Sequence, residues 1–429
     1  MEKKRARVNE QGNVIWHGSI PQAEVNSSLD NDAVIIQDEY GITASIHIDG
    51  RLVKIRPISN EIHEIVEYDL DRMPADHPTD AVELLETNTV EMLMLSDQIS
   101  TTPLVNGNQV STRLTGNANM NTEIKILVGY TTATKNSYAG NISSLIELAV
   151  AETNAGYLNS GIPIDLTLVH SYELNYTESG SFSSDLSKFR NDNDGVMDEV
   201  HDKRNEYGAD IAMILIDNDS YCGLASGIGS TASTAFAATY WDCATGYYSF
   251  GHEIGHLLSA RHNTEVDPTN TPYPYGHGYQ NGNAGWRTIM SYNCSPSCIR
   301  INWWSDPVNT YDGAVMGTVS TNDNARVLEE TAPIIASFKT ASGSTPSGTK
   351  VAEYGDPVLG NSYNGCSFNQ TYSAGGGYTL YREYSISCDT GVYDVGVIEN
   401  IQSSTCSFDP KSNGIYVQGN CNNWRVYIE

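Results

Sequence analysis

The segment HEIGHLLSARH, residues 252–262, contains the side chains best suited to chemistry. On a helix, residues four apart lie on one face, so His252 and His256 can direct imidazole nitrogens at one metal ion. Glu253 projects beside that face, where it can take a proton from a water molecule. Three protein ligands would leave a fourth coordination position open for this water. The spacing therefore predicts a zinc centre with Glu253 as the general base.

The third ligand is expected to be His262, six residues after His256. The helix must end between these histidines, and the small residues Ser259 and Ala260 make a turn sterically feasible. The pattern resembles HExxHxxGxxH, the long zinc motif of the metzincin peptidases. Ser259 stands where those enzymes usually have glycine, and a residue other than glycine in the left-handed conformation costs about 1 kcal/mol. This departure removes no ligand.

The segment RTIMSYNC is a second mark of the same family. Its Met290 resembles the methionine of the metzincin Met-turn, which packs beneath the three histidines. Tyr292 follows two residues later, as in the astacin and serralysin branches, and its phenol could stabilise the oxyanion of a tetrahedral intermediate. The simpler alternatives are an ordinary buried methionine and one packed tyrosine among 26.

Residues 122 to 340 resemble the bacterial reprolysin-like group and the peptidyl-Asp metalloendopeptidases through GYTTAT, WSDP and NARVLEETAPIIASF. The resemblance implies a secreted zinc endopeptidase that hydrolyses protein or peptide substrates by zinc-activated water, cutting on the amino side of aspartate. A cation must then face the S1′ side chain, and Arg287 and Arg300 are the candidates because this region forms the S1′ wall in metzincins. Alternatively, either arginine braces a loop carbonyl or an acidic neighbour.

Residues 1–118 resemble a propeptide, so the enzyme is expected to be a zymogen inhibited by its own N-terminal region. This region contains no cysteine, which excludes a thiolate switch on the metal. Latency would then need a carboxylate, a histidine or simple steric occlusion, and Asp76, His77 and Asp80 in PADHPTD are the candidate ligands. The simpler interpretation is that they are solvated residues of a loop.

The fold class expected is an α/β metzincin-like domain, with a twisted mixed sheet, an active-site helix and a Met-turn. An N-terminal α+β or mainly β pro-domain and a small C-terminal β domain are expected to flank it. Asp49-Gly50 predicts a β-hairpin, Leu70–Asn121 is expected to be a linker or a partly ordered segment, and Asn141 and Gly161 predict the ends of a helix. The predicted regions are 1–118 (propeptide), 119–340 (peptidase), 341–349 (linker) and 350–429 (disulfide-rich β domain).

The composition narrows the class of partner and the compartment. Net charge is −28, with 24 basic against 52 acidic residues, which disfavours nucleic acid and anionic membranes. There is no run of 18 apolar residues, and the basic start MEKKRARVNE has no apolar stretch behind it, so no signal peptide is expected within this chain. A secreted monomer is expected.

Eight cysteines without a CxxC pair favour disulfides in an oxidising compartment. Proximity alone suggests the pairs Cys222–Cys243, Cys294–Cys298, Cys366–Cys388 and Cys406–Cys421. A competing function is a non-catalytic extracellular binding protein or adhesin with a decayed protease domain. The intact motif at residues 252–262 argues against such decay.

Overall fold

The computed structural model describes residues 2–9, 12–20, 31–59, 62–77, 121–138 and 140–339, and the backbone of eight strands between Thr349 and Ile428. The chain forms two compact units, residues 1–341 and residues 342–429. Among the described residues, no helix is both long enough and apolar enough to cross a membrane.

Residues 2–68 form an antiparallel sheet whose six strands follow chain order. The strands are β1 (Glu2–Val8), β2 (Val14–Ser19), β3 (Asp32–Asp38), β4 (Gly41–Ile48), β5 (Arg51–Ser59) and β6 (Ile62–Tyr68). Asp49 and Gly50, with φ angles of 49° and 77°, connect the paired residues Ile48 and Arg51. Two positive φ angles are what a tight two-residue hairpin turn requires. The predicted hairpin is confirmed.

The chain leaves this sheet through a 3₁₀ turn, Leu70–Arg72, and continues to His77. Asp76 and His77 are buried, with 9% and 3% of their surfaces exposed. Of the two alternatives for the stretch from Leu70, a linker does not describe residues 70–77, whose last two side chains are buried against the rest of the unit, whereas a partly ordered segment does. Residues 78–120, which hold most of that predicted linker, lie outside the described residues.

A second sheet of five strands forms the centre of the first unit. Its strands are β7 (Thr122–Thr131), β8 (Ile164–Leu174), β9 (Ile211–Ile216), β10 (Gly223–Ala225) and β11 (Phe236–Tyr240). Their order is β10-β11-β9-β7-β8, and all neighbours are parallel except β10, which is antiparallel to β11. All six residues of β9 are buried, as expected for a parallel strand covered on both faces. The sheet is mixed, as predicted, and β10 lies at its edge.

Six helices lie among the described residues of this unit. They are α1 (Thr132–Ser137), α2 (Ile142–Ser160), α3 (Phe182–Arg190), α4 (Glu199–Tyr207), α5 (Ser249–Leu257) and α6 (Asn324–Ile335). The ends of α2 were predicted correctly: the Asn141 side chain accepts from the N–H of Ser143, and Gly161 has a left-handed φ of 66°. Helix α3 was not predicted from the sequence.

Short strands complete both units. In the first unit they are β12 (Gln280–Asn281), β13 (Trp286–Arg287), β14 (Ile299–Arg300), β15 (Asp306–Tyr311) and β16 (Ala314–Met316). The second unit contains β17 (Thr349–Glu353), β18 (Ser362–Tyr363), β19 (Cys366–Gly376), β20 (Thr379–Cys388), β21 (Gly391–Asn400), β22 (Thr405–Pro410), β23 (Ile415–Asn420) and β24 (Asn423–Ile428). These eight strands form two antiparallel sheets.

The N-terminal sheet docks on helix α2 through an apolar contact, which we call the docking surface. It consists of Ile15, Val34 and Ile36 from the sheet and Leu148, Ala151 and Ala155 from the helix. Burial of an isoleucine or valine side chain contributes about 1.5–3 kcal/mol. Lys54 adds a hydrogen bond to the Asp242 carboxylate at 3.2 Å. The docking surface places the end of the N-terminal region, residues 70–77, over the site described next.

Candidate metal centre and substrate cleft

Helix α5 presents His252 and His256, and the chain after it must reverse to bring His262 back. The reversal occurs at Ser259, whose φ angle of 73° lies in the left-handed region. The N–H of Ala260 donates to a carbonyl in the last turn of α5 at 2.9 Å, which closes the turn. As a result, the Nε2 atom of His262 lies 3.1 Å from that of His252 and 3.0 Å from that of His256.

Backbone carbonyls orient the two helical imidazoles. His252 Nδ1 donates to the carbonyl of Ile289 at 2.9 Å, and His256 Nδ1 donates to the carbonyl of Ala260 at 2.9 Å. A carbonyl can only accept, so each Nδ1 carries the hydrogen and each Nε2 presents a lone pair. Burial lowers the pKa of His252, His256 and His262 well below the usual value, which keeps these imidazoles neutral.

A divalent metal ion fits this arrangement. Lone pairs on neutral imidazoles about 3 Å apart repel one another unless a cation lies between them. Tetrahedral ligands at zinc–nitrogen distances of 2.0–2.1 Å lie about 3.3 Å from one another. The observed separations of 3.0–3.1 Å are close to that value. The cluster can therefore hold a metal ion with little movement of the side chains.

Glu253 lies beside the imidazoles and is 1% exposed. It accepts a hydrogen bond from the backbone of Ala225, and its Oε2 atom has no hydrogen-bond partner among the described residues. A Cβ atom at Gly223 would lie 2.1 Å from Glu253 Oε1, so a side chain at this position of β10 would displace the carboxylate. Burial, and next the charge of Asp76, raise the pKa of Glu253 well above its usual value. A carboxylate with an available oxygen suits a general base.

Met290 packs against α5 at Gly255. A Cβ atom at Gly255 would lie 2.8 Å from Met290 Sδ and 2.7 Å from the ring of Trp304. Gly255 lies between the two helical histidines and allows both residues to pack directly against the helix. The carbonyl of the preceding residue, Ile289, orients His252. The turn therefore supports the metal ligands from below.

Tyr292 lies at the side of the cluster, where its ring centroid is 4.5 Å from that of His262. Its N–H donates to Asn263 Oδ1 at 2.9 Å, which fixes the backbone of the turn. Burial, and next the charges of Asp76 and Glu253, raise the pKa of the phenol far above neutrality, so the hydroxyl keeps its proton. A protonated phenol can donate to an oxyanion.

Arg287 and Arg300 line one buried pocket beside the cluster of metal-binding histidines, here called the metal cluster. Both form ion pairs with the carboxylate of Asp76. Arg300 Nη2 lies 2.6 Å from Asp76 Oδ1, and Arg287 Nη1 lies 3.4 Å from Asp76 Oδ2. Burial by itself would raise the pKa of Asp76. The charges of Arg300 and Arg287 outweigh burial and hold this pKa below its usual value. The pocket is thus suited to a carboxylate.

The two guanidinium groups are held in place by one aromatic residue, Tyr247. They lie over its ring, at 5.6 Å for Arg287 and 4.6 Å for Arg300. Arg287 Nη2 donates to the Tyr247 hydroxyl at 2.9 Å, and Arg300 Nη1 donates to the Tyr247 carbonyl at 3.0 Å. Arg287 also donates to the carbonyl of Ser291. The arginines therefore make the contacts that the alternative from the sequence described, with an acidic neighbour and with backbone carbonyls, and their role towards a substrate side chain stays a prediction.

His77 is a fourth imidazole in the metal cluster. Its Nε2 atom lies 3.0 Å from that of His252 and 3.1 Å from that of His256, and the ligand atoms of all four histidines lie within 4.8 Å of one another. The Nδ1 atom of His77 donates to the carbonyl of Gly223 at 2.9 Å. Burial lowers the pKa of His77 to about 4. The solvated-loop interpretation is wrong for Asp76 and His77, because the cleft buries both.

The predicted residue Asp80 lies outside the described residues. Two residues of the site were missed from the sequence. Tyr247 gave no signal beyond its position just before the metal-binding helix, and Gly223 gave none beyond its place next to a cysteine. Both act through contacts between distant parts of the chain.

Two of the four suggested disulfides are present in the described side chains. Cys222 bonds to Cys243, and Cys294 bonds to Cys298. The first ties the start of β10 to the segment before α5, and the second closes a small loop beyond Tyr292. The side chains of Cys366, Cys388, Cys406 and Cys421 lie outside the described ones, so those two pairings stay predictions.

Comparisons with known proteins agree with this geometry. Residues 120–305 match the model of metallo-peptidase family M12 named Reprolysin_5. A peptidyl-Asp metalloendopeptidase of Stenotrophomonas maltophilia (strain K279a) is 46% identical over 340 residues, which are 76% of this chain and 78% of the relative. The peptidyl-Asp metalloendopeptidase of Xanthomonas campestris pv. campestris is 44% identical over 337 residues, 77% of each chain.

Similarity to solved structures is weaker. Metalloproteinase-II from Bacteroides fragilis aligns with 58% of this chain and 78% of its own, at 16% identity and a TM-score of 0.30. The motif in residues 252–262, the matching family model and the extended identity to the two bacterial relatives lead to one assignment. The chain belongs to the peptidyl-Asp metalloendopeptidase family and is a metalloendopeptidase.

Proposed function

We propose that this protein is a secreted, zinc-dependent endopeptidase that hydrolyses proteins or peptides on the amino side of aspartate, and that it is made as a zymogen. The observation that carries the proposal is the position of the Asp76 carboxylate. It lies between Arg287 and Arg300, and the next residue in the chain, His77, reaches the metal cluster. A pocket that binds an aspartate side chain therefore lies beside the catalytic centre, close enough for two consecutive residues of one chain to reach both.

The donor set favours zinc among the divalent metals. Neutral imidazoles in a tetrahedral arrangement are typical of zinc sites, and three protein ligands plus one exchangeable position are typical of catalytic ones. His252, His256 and His262 would be the permanent ligands. Zinc, when bound, would polarise the scissile carbonyl and lower the pKa of a water molecule toward 7.

The chain's own groups would supply the remaining chemistry. Glu253 accepts a proton from the attacking water and later donates it to the leaving amine. Tyr292 donates its phenolic hydrogen to the oxyanion that forms on the scissile carbonyl. The packing of Met290 against Gly255 fixes the position of α5. The two imidazoles that this helix carries therefore need not reorganise during the reaction.

The arginine pocket would determine the preferred substrate. Arg287 and Arg300 are pre-oriented by Tyr247, so the cost of ordering them is paid on folding rather than on binding. A substrate carboxylate would gain two charge-assisted contacts there. An uncharged side chain would leave two buried cations without an anionic partner, which costs binding energy. This asymmetry supports a preference for aspartate on the leaving-amine side of the cut.

Latency and export are supported by two further features. Residues 1–118 would be the propeptide, since the described part of this region covers the cleft and its residues 75–77 occupy it. The two observed disulfides suit an oxidising, extracytoplasmic compartment. Because the chain is a metalloendopeptidase, the alternative of a decayed, non-catalytic adhesin is set aside.

The proposal is tested with the matured protein. Casein digestion should stop when a chelator removes the metal and should return with one equivalent of zinc per chain. In a peptide library, bonds that precede aspartate should be cut preferentially, as measured by mass spectrometry. Digestion that is insensitive to the chelator would refute the metal mechanism, and cuts without enrichment of aspartate on the leaving-amine side would refute the specificity.

A further inference from the structure

We propose that the Ala75–His77 segment is a built-in inhibitor that occupies the cleft in the direction opposite to a substrate. In this arrangement Asp76 fills the carboxylate pocket and His77 supplies a fourth ligand to the metal. The proposal rests on the function proposed above, because the direction of a substrate follows from cleavage on the amino side of aspartate. It adds the group that blocks the metal and the reason why this segment is not cut.

The first step is the anchoring of Asp76. Its side chain is 8% exposed and is paired with both Arg300 and Arg287. A buried carboxylate without partners would be strongly destabilising, so this residue occupies a site that is complementary to it. That site is the same pocket that would receive the aspartate of a substrate.

The second step is the orientation of His77. Its Nδ1–H donates to Gly223, so its Nε2 lone pair points at the cluster, as do those of His252 and His256. The two Nε2 separations of 3.0 and 3.1 Å match those to His262. His77 is therefore a fourth ligand, and it occupies the coordination position that the attacking water molecule would take. Its Nε2 atom lies 3.7 Å from Glu253 Oε1, which also obstructs the general base.

The third step is the direction of the chain. In a substrate cut on the amino side of aspartate, the residue over the metal precedes the aspartate. Here the residue over the metal is His77, which follows Asp76. The bond that an aspartate-specific enzyme would cut, between Ala75 and Asp76, therefore lies on the side of Asp76 away from the metal. The segment offers the enzyme its preferred side chain without a scissile carbonyl.

Backbone hydrogen bonds to the edge strand hold the segment in this direction. The N–H of Cys222 donates to the Ala75 carbonyl at 2.8 Å, and the N–H of Gly223 donates to the Asp76 carbonyl at 3.2 Å. Residue numbers rise in the same direction along the segment and along β10, so the two stretches of backbone are parallel. The Cys222–Cys243 disulfide fixes this end of the strand.

Cobalt substitution tests the ligand directly, without measuring activity. The full-length chain with Glu253→Gln, which prevents self-cleavage, would be loaded with Co²⁺ and its visible spectrum recorded. His77→Ala should change the absorption in the visible range and should speed the loss of cobalt to a chelator by about 10-fold or more. The matched control is His63→Ala, since His63 lies in β6 and contacts the backbone of Ile42.

The outcomes separate the two proposals. An unchanged spectrum in folded His77→Ala protein, with one cobalt per chain, would overturn the fourth ligand and leave the proposed function intact. If the parent chain itself binds neither cobalt nor zinc, the proposed function fails first. Asp76→Asn should also speed the loss of cobalt, because it removes the anchor, whereas Asp49→Asn in an exposed turn should not. Asp76→Asn that loses cobalt at the parent rate would count against the anchor.

A cleavage experiment tests the direction. The synthetic peptide MPADHP should be cut between alanine and aspartate by the matured enzyme, because a free peptide can bind in the substrate direction. The same Ala75–Asp76 bond should stay intact in the full-length chain until activity appears, as followed by mass spectrometry. A first cut at this bond within the latent chain would overturn the reversed direction. A peptide that is not cut before aspartate would instead refute the specificity.

Discussion

The two walls of the cleft are built in different ways. The metal wall comes from one stretch of eleven residues, in which a helix and a left-handed turn at Ser259 bring three imidazoles together. The arginine wall combines Tyr247, Arg287 and Arg300, which lie on different elements and contact one another only after folding. Local spacing therefore brings the histidines together, whereas the arginine wall, to which we assign the choice of substrate, depends on tertiary packing. Substitutions in the two walls should consequently have different kinetic signatures.

The largest effect is expected in the metal wall. Glu253→Gln in the matured enzyme should lower kcat by about 10²–10⁴-fold for every peptide, because it removes proton transfer and leaves the histidines in place. Steady-state kinetics together with zinc analysis would measure this. Glu206→Gln, at an exposed position of α4, is the control. A loss confined to aspartyl peptides would contradict the division between the walls.

The next effect is expected in the arginine wall. Arg300→Leu should lower kcat/KM for peptides with aspartate after the cut by about 10²-fold, since a buried charge pair is lost. Peptides with alanine there should be nearly unaffected. Arg287→Leu should cost less, because its contact with Asp76 is 3.4 Å rather than 2.6 Å. Arg326→Leu, which removes the partly exposed pair with Glu330, is the control. Equal losses for both peptides would mean that Arg300 is purely structural.

Tyr292→Phe should have a smaller effect than either substitution. Losing one donor to the oxyanion should lower kcat by about 10-fold while KM changes little, because the interaction strengthens only in the transition state. Kinetics on one aspartyl peptide and one alanyl peptide should show the same ratio for both. Tyr275→Phe, whose hydroxyl donates to Glu330 at the surface, should change neither constant. An unchanged kcat for Tyr292→Phe would assign this tyrosine to packing.

The smallest effect concerns Glu152 of α2, which lies outside both walls and has a side-chain hydrogen bond with Ser45 of the N-terminal sheet. Burial raises the pKa of Glu152, whose carboxylate accepts from the N–H of Gly246, to about 7. The folded chain then binds this proton more tightly than the unfolded chain, whose pKa is near 4.5. Stability should fall as pH rises from about 4.5 to 7 and should change no further above that.

The Tm of the full-length chain should accordingly drop by a few degrees across this range. Glu152→Gln should flatten the dependence, whereas Glu206→Gln should leave it as it is. Thermal unfolding of the Glu253→Gln background at several pH values would avoid self-digestion. A Tm of Glu152→Gln that follows pH as steeply as the parent would assign the dependence to other groups.

The parts of the molecule that could be predicted from sequence follow the same division. The ends of α2 could be predicted because Asn141 and Gly161 each contact the backbone within one turn of the helix. The hairpin at Asp49 could be predicted because few residue types, with Asp-Gly among them, adopt two adjacent positive φ angles. His77 was one of three candidates in PADHPTD, and the sequence could not single it out, because a lone histidine in an acidic, turn-rich stretch carries no local signal. Its role depends on the path of a segment that ends about 175 residues before the helix it contacts.

The docking surface has a consequence for how long inhibition lasts. While the chain is continuous, tethering gives the inhibitory segment an effective concentration in the millimolar range, so even a weak two-residue contact is saturated. Once the chain is cut beyond His77, the segment is retained by noncovalent contacts alone, among them the apolar contact between the sheet and α2 and the Lys54–Asp242 hydrogen bond. We therefore expect the nicked protein to regain activity gradually on dilution, at a rate set by dissociation of the sheet and not by the cut itself.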